Sequence, residues 1–254
     1  MANERYIVEQ LSEHLYVVGQ APTPSMPPTA DGNLYLIVGQ ESVIAVDAGA
    51  GTSFPLVQAA AARYGFADKP FRYVLLTHEH WDHAWGLAHF IQRGSAVACS
   101  RSVAAGVPGL LDPSRDVTFT QEGTVQLGEF FPEVVFTPGH TPSSTCFRLE
   151  VDGSLCLFTG DLIAEDGGLS FAGSPGFSRE DLLESLRKLA AMPPADRFLP
   201  GHLMAPSFDY DPGEVLTLAI AKGEAGLWED DWSERKKRLA GAVFQGFGAA
   251  RSDL

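Results

Sequence analysis

The chain has 254 residues, enough for one large α/β domain to bury a core without disulfide cross-links. Its 45% hydrophobic and 20% charged residues are typical of globular proteins and exclude a disordered chain. A formal net charge of -14 disfavours nucleic acid and anionic membrane surfaces as partners, because both carry negative charge themselves.

The cysteines and the N-terminus indicate a cytoplasmic protein. Three widely spaced cysteines, Cys99, Cys146 and Cys156, are too few for the disulfide framework of a small secreted protein. Cys146 and Cys156 lie in apolar, strand-like segments, where a cysteine usually acts as a small buried hydrophobic residue. An export signal and a membrane span both require apolar stretches that are missing here. We therefore expect a protein of the cytoplasm that has no membrane partner.

Alternation of apolar and polar residues predicts two β-hairpins at the start of the chain. The segment RYIVEQLSEHLYVVG predicts the first, and NLYLIVG with SVIAVDAG predicts the second, which ends at Asp47. Between them, four prolines exclude both a central strand and a continuous helix, so we expect an extended loop. These prolines are Pro22, Pro24, Pro27 and Pro28.

Helical spacing then alternates with short apolar strands. The predicted helices FPLVQAAAARYG and AWGLAHFIQRG are followed by the strands FRYVLL and SAVACS. Later, SLCLFTGD, SREDLLESLRKLAAM and DRFLPGH predict a strand, a helix that Ser178 caps, and a strand. Hairpins mixed with strand and helix units predict an α/β fold of mixed sheets with helices on their outer faces.

We expect a single domain over residues 1–254, because no linker, repeat or low-complexity segment divides the chain. Helical stretches from about residue 213 include WSERKKRLAGAVFQGFGAA. They are expected to cap the core or to contact another subunit of a homo-oligomer.

The segment THEHWDH places four metal-binding side chains directly after the strand FRYVLL. In an extended backbone, residues i and i+2 project to the same side, so His78 and His80 can bind one ion. Asp82 and His83 begin the next helix and can turn towards a second ion. A polar loop with unrelated histidines would seldom contain three histidines and an aspartate at this spacing.

Three further metal-binding side chains follow other strand-like segments. His140 lies in VVFTPGHT, Asp161 ends LCLFTGD and His202 ends RFLPGH. A rigid sheet that brings ligands from several strand ends to one edge can preorganise a metal site. By contrast, His14 and His89 lie in a hairpin turn and a helix without such neighbours, and we expect both to be structural or surface residues.

The ordered motifs HxHxDH, TPGHT, TGD and PGH resemble those of the metallo-β-lactamase superfamily between about Asp47 and His202. The resemblance implies a four-layer αβ/βα sandwich with two divalent metal ions at one edge of two facing sheets. Zinc is the first expectation, with iron and manganese as alternatives. The resemblance assigns His78, His80 and His140 to one ion, Asp82, His83 and His202 to the other, and Asp161 to both. It also implies that Asp47 orients a ligating imidazole, although a turn at a strand end would equally explain this aspartate.

This donor set and the resemblance together predict a binuclear hydrolase. A hydroxide shared by the two ions would attack the carbonyl of a small ester, thioester or lactone, with Asp82 as the catalytic residue that positions it and moves its proton. TPGHTPSSTCF and TGD are especially similar to glyoxalase II, which hydrolyses hydroxyacyl thioesters of glutathione. However, the basic glutathione-binding segment of that enzyme is missing, since no Lys or Arg lies between Asp161 and Arg179.

Two alternative functions stay open. A persulfide dioxygenase of the same superfamily would bind one iron through two histidines and one aspartate, whereas the seven filled ligand positions favour two ions. A non-catalytic, regulatory protein could keep the centre as a ligand sensor. Several large apolar residues flank the motifs and are expected to line a substrate pocket. They are Trp81, Trp85, Phe171, Met26 and Met204.

Overall fold

The computed structural model describes residues 6–20, 31–164, 166–169, 176–202 and 208–228. Within these ranges, two mixed β-sheets face each other and carry helices on their outer faces. Several of the predicted features lie outside the described residues. They are the proline-rich loop, Met26, Phe171, Met204 and the segment WSERKKRLAGAVFQGFGAA.

The first sheet has seven described strands that neighbour one another in chain order. The first four pair antiparallel, so both predicted hairpins are confirmed, and the last four pair parallel. The strands are β1 (Tyr6–Gln10), β2 (Leu15–Gln20), β3 (Leu34–Val38), β4 (Val43–Val46), β5 (Phe71–Leu76), β6 (Ala96–Ser100) and β7 (Val117–Phe119).

The second sheet has five described strands in the order β12, β11, β10, β9, β8. Only the pair β11 and β12 is parallel within this described sheet, and the remaining neighbours are antiparallel. The strands are β8 (Gly123–Thr124), β9 (Glu133–Phe136), β10 (Thr145–Val151), β11 (Ser154–Gly160) and β12 (Arg197–Pro200).

The described helices are α1 (Phe54–Arg63), α2 (Trp81–Ala84), α3 (Leu87–Ile91), α4 (Arg101–Gly106), α5 (Arg179–Ala191) and α6 (Pro212–Glu224). Ser178 caps α5 as predicted, since its Oγ accepts a 3.2 Å hydrogen bond from the amide of Asp181. Among the described helices, none combines the length and apolarity that crossing a bilayer requires.

The prediction of one helix over residues 84–94 is wrong, because the chain forms the two short helices α2 and α3 with a break at Gly86. The amide of Gly86 donates a 2.8 Å hydrogen bond to the carbonyl of Gly49. A Cβ at Gly86 would collide with the carbonyl oxygen of Ala48. This close approach to the loop after β4 diverts the chain and ends the first helical turn.

Three apolar clusters separate four layers and confirm the predicted αβ/βα sandwich. Alternate residues of β5 face opposite sides of the first sheet, so Val74 packs against the helix layer and Leu75 faces the second sheet. Phe158 of β11 belongs, with Leu75, to the cluster between the sheets. On the far side, Leu182 of α5 and Leu216 of α6 cover the second sheet.

The single domain over residues 1–254 and the homo-oligomer stay predictions.

Candidate metal centre

All seven predicted metal ligands lie just beyond the ends of strands, at one edge of the sandwich. Residues 78–83 continue from β5 of the first sheet through the loop and α2. The other three ligands come from the second sheet: His140 follows β9, Asp161 follows β11 and His202 follows β12. Both sheets therefore contribute to one centre.

The first donor group consists of His78, His80, His140 and Asp161, whose ligand atoms all lie within 4.8 Å of one another. His80 Nδ1 is 2.9 Å from His140 Nε2. Asp161 Oδ2 lies 3.9 Å from His78 Nε2 and 3.7 Å from His140 Nε2. Three imidazoles and one carboxylate thus converge on a volume the size of a single ion.

The second donor group consists of Asp82, His83, Asp161 and His202, again with ligand atoms within 4.8 Å of one another. His83 Nε2 lies 3.1 Å from Asp161 Oδ1, and His202 Nε2 lies 3.1 Å from Asp82 Oδ2. Asp161 belongs to both groups, which places its carboxylate between two adjacent ion-sized volumes.

The donor set fits divalent metal ions. Among the described residues, His78 Nε2 and Asp161 Oδ1 are buried without a hydrogen-bond partner. Leaving such atoms unsatisfied costs about 1–3 kcal/mol each, and a bound cation would satisfy both. Imidazole nitrogen with carboxylate oxygen is the ligand chemistry of zinc, and it also suits iron and manganese.

The two groups differ in the pKa values of their histidines. Burial lowers the pKa of His78 well below its usual value and that of His140 to about 4, so both imidazoles are neutral and free to donate a lone pair. Burial also disfavours charge on His83 and His202, but nearby carboxylates, chiefly that of Asp161, raise the pKa of His83 and bring that of His202 to about 10.

Asp47 holds His83 in place from outside the centre. Its Oδ2 lies 2.8 Å from His83 Nδ1, and its carboxylate accepts hydrogen bonds from the amide and hydroxyl of Thr77 at 2.8 and 2.9 Å. Because Nδ1 of His83 is bonded to Asp47, its other ring nitrogen, Nε2, faces the second donor group. Asp47 adopts a φ of 61°, in the left-handed region that is strained for most residues. The geometry therefore supports an orienting role over an ordinary turn residue.

Sequence reasoning missed the segment 31–33, which joins the two sides of the centre. The amide of Gly32 donates a 2.9 Å hydrogen bond to the carbonyl of Asp82. The amide of Asn33 donates a 2.7 Å hydrogen bond to the carbonyl of Gly201. A Cβ on Gly32 would lie 2.6 Å from Cε1 of His83. The buried carboxylate of Asp31 anchors the segment by accepting a 2.6 Å hydrogen bond from the amide of Ala50. The only local signal is a polar DGN triplet before β3.

The remaining histidines and the cysteines lie outside both donor groups. His14 Nδ1 lies 2.6 Å from Asp152 at the surface, and His89 stacks on Phe54 with ring centroids 4.8 Å apart. Burial raises the pKa of all three cysteine thiols to about 12, so none is a ready nucleophile. The rings of Trp81 and Trp85 are 5.7 Å apart, and their pocket-lining role stays a prediction.

Comparison with curated proteins gives hydrolases as relatives. The chain is 34% identical over 147 residues to a probable polyketide biosynthesis zinc-dependent hydrolase of Bacillus velezensis, covering 56% of this chain and 60% of the relative. It is 35% identical over 136 residues to a hydroxyacylglutathione hydrolase of Cereibacter sphaeroides, covering 53% of this chain and 49% of the relative. The chain thus spans about half the length of the curated relatives it matches.

Solved structures share the fold. A metallo-beta-lactamase from Pontibacter korlensis superposes with a TM-score of 0.69 at 19% identity, covering 86% of this chain and 99% of the other. A metallo-beta-lactamase from Erythrobacter litoralis superposes with a TM-score of 0.68 at 20% identity, covering 89% of this chain and 99% of the other. The family model described as the metallo-beta-lactamase superfamily matches residues 28–202, more than half of the chain. The chain therefore belongs to the metallo-beta-lactamase superfamily.

Proposed function

We propose that the chain is a hydrolase that uses two divalent metal ions, zinc in the first instance, to cleave a small ester, thioester or lactone. The observation that carries this proposal is that two donor groups, each with four ligand atoms, share the carboxylate of Asp161. When bound, two such ions supply a water of lowered pKa and an electrophile for the carbonyl oxygen. His78, His80 and His140 would hold one ion, and Asp82, His83 and His202 the other.

Asp82 is the proposed catalytic residue. Burial raises the pKa of its carboxyl group, but His83 and His202 outweigh burial and bring the pKa below its ordinary value. The carboxylate is therefore ionised at neutral pH and can accept a proton from the attacking water. Its 3.1 Å contact with His202 Nε2 fixes the carboxylate at the rim of the shared centre.

A thioester is the substrate class that the relatives favour. Hydroxyacylglutathione, which names several of them, is a thioester. Glutathione itself carries two carboxylates, and the chain has no Lys or Arg between Asp161 and Arg179 with which to pair them. We therefore propose an acyl thioester or ester whose leaving group is less anionic than glutathione.

Metal analysis combined with a hydrolysis screen tests the proposal. Protein purified without chelator should contain about two zinc ions per chain and hydrolyse activated thioesters or esters. His80→Ala should lose this turnover while keeping the wild-type circular dichroism spectrum. His89→Ala is the matched control, because this histidine belongs to neither donor group.

Three results would contradict the proposal in different ways. Unchanged turnover in His80→Ala would remove the centre from the reaction. One iron per chain, with oxygen consumption on glutathione persulfide, would make the protein a dioxygenase. Two bound ions without turnover of lactones, thioesters, β-lactams or phosphodiesters would indicate a regulatory protein.

A further inference from the structure

Glu79 lies between the ligands His78 and His80 but contacts a different part of the protein. Because successive residues of an extended chain point to opposite sides, its side chain projects away from the centre. Its Oε2 accepts a hydrogen bond from Ser143 Oγ and lies 3.5 Å from Thr141 Oγ1. Glu79 therefore contacts the loop that begins directly after His140.

The hydroxyl groups of this loop form a buried cluster, which we call the hydroxyl loop (residues 141–144). Thr141 Oγ1 lies 2.9 Å from Ser143 Oγ and 3.0 Å from Ser144 Oγ. The amide of Thr141 donates to Ser144 Oγ at 3.1 Å. Thr141 and Ser143 are only 1% and 6% exposed. The loop is thus one hydrogen-bonded unit, and Glu79 supplies it with a charged acceptor.

Glu79 is itself held from the other side by α4. A Cβ on Gly106, the last residue of that helix, would lie 2.6 Å from Cγ of Glu79. A second link joins the segment of Glu79 to the chain that follows the hydroxyl loop, because the amide of Thr145 donates a 2.9 Å hydrogen bond to the carbonyl of Thr77. Along the chain, both links adjoin the contact between His80 and His140, because Thr77 and Glu79 precede His80 while Ser143 and Thr145 follow His140.

We propose that Glu79 is a positioning residue that holds the hydroxyl loop, and with it His140, at the distance from His80 that the first ion requires. The effect of Glu79 is confined to the first donor group, because other contacts hold the residues of the second group. Asp47 orients His83, and the backbone carbonyl of Asp82 accepts a hydrogen bond from the amide of Gly32. The inference rests on the proposed metal centre but concerns its affinity and not its chemistry.

Cobalt(II) titration of the metal-free protein tests the proposal, with visible absorption and chelator competition as readouts. The wild type should bind two ions. In Glu79→Ala, one of the two should bind about tenfold more weakly, the low end of the loss seen when groups that support metal ligands are removed. The other ion should keep its wild-type affinity.

Two further variants separate the hydrogen bond from the charge. Glu79→Gln keeps a carbonyl oxygen that can accept from Ser143, so it should bind both ions as the wild type does. Ser143→Ala removes the donor and should weaken the same single ion. Glu79→Ala and Ser143→Ala remove the same hydrogen bond from its two ends. The double variant should therefore bind cobalt no more weakly than Glu79→Ala alone.

Several outcomes would overturn the inference. Wild-type affinity for both ions in Glu79→Ala, or equal weakening of both, would refute the positioning role while leaving the metal centre intact. A Glu79→Gln variant as weak as Glu79→Ala would refute the hydrogen-bond link. If Glu79→Ala does not fold, the test rests on Ser143→Ala. Wild-type cobalt affinity in Ser143→Ala would then refute the inference. A wild type that binds no cobalt would instead refute the proposed function, and the positioning role with it.

Discussion

Among the residues that the structure describes, histidine and carboxylate groups cluster in two places, and the two clusters differ in burial and in hydrogen bonding. At the edge of the sheets, the side chains of His78 and Asp161 are 1% and 7% exposed, and each has a buried atom without a hydrogen-bond partner. On the surface, Glu13, His14 and Asp152 also bring ligand atoms within 4.8 Å of one another.

In the surface cluster, the carboxylate of Asp152 already has hydrogen-bond partners on both oxygens. Asp152 accepts hydrogen bonds from the hydroxyl of Ser12 and from the amide of His14, at 2.6 and 2.8 Å, and its other oxygen lies 2.6 Å from His14 Nδ1. A cation would have to displace these contacts and would gain little in exchange, because water screens the charges. Ligand spacing alone therefore does not distinguish a metal site, whereas buried ligand atoms without hydrogen-bond partners favour one.

The largest expected effect comes from removing the carboxylate that both donor groups share. Asp161→Ala should lower turnover by more than about 100-fold, because losing even a group that only supports a metal ligand costs about 10–100-fold in affinity or activity. It should also reduce the affinity for both ions, measured by chelator competition. Retention of two tightly bound ions would show that the carboxylate of Asp161 is not a ligand that both ions share.

Asp82→Asn should separate proton transfer from metal binding. An amide keeps the size of the side chain and a ligating oxygen but is a poor proton acceptor. We expect kcat to fall by about 10²-fold, the low end of the general-base contribution. Metal content, measured by elemental analysis, should stay near the wild-type value. A loss of metal in proportion to the loss of rate would remove the catalytic assignment.

Asp47→Asn should test orientation of a ligand from outside the centre. Asparagine tolerates the left-handed φ and can still accept from the amide of Thr77. Its NH₂ group, however, would donate to His83 Nδ1 and place the proton of the imidazole on Nε2, where it blocks coordination. We expect affinity for one ion to fall by about 10–100-fold, measured by cobalt titration. Wild-type affinity would contradict the orienting role.

The smallest effect is expected at the surface cluster. Burial raises the pKa of Asp152, but Ser12 and His14 outweigh it and lower the pKa, so the ionised carboxylate stabilises the folded state above the pKa of the unfolded chain. That contribution disappears as pH falls through the folded pKa. Asp152→Asn should therefore reduce the free energy of unfolding by less than about 1 kcal/mol at pH near 7, and not at all in strong acid.

Urea unfolding of the metal-free protein at the two pH values measures this difference. Asparagine suits the φ of 52° at this position, so the substitution isolates the charge. Metal stoichiometry of the variant should equal that of the wild type. A lost ion in Asp152→Asn would mean that the surface cluster binds metal after all.

The convergence of the seven proposed ligands could be predicted from the sequence because they follow recognisable strands, and strand ends at one edge come together. The hairpins, α1 and α5 were equally predictable from periodicity and capping. Glu79, Gly32 and the break at Gly86 were not, because their roles depend on contacts with residues far away in sequence. Such contacts leave no periodic signal, and a lone glutamate in a loop is usually solvated.

The origin of the ligands in both sheets has a consequence for biogenesis. Residues 78–83 belong to the first sheet and residues 140, 161 and 202 to the second, so neither sheet alone can complete either donor group. In the proposed centre, an ion would be captured tightly only after the two halves have docked, and it would then stabilise that docked state by mass action. Metal loading would thus mark the chains that have finished folding, and scarcity of the ion would leave a larger share of newly made chains open to proteolysis.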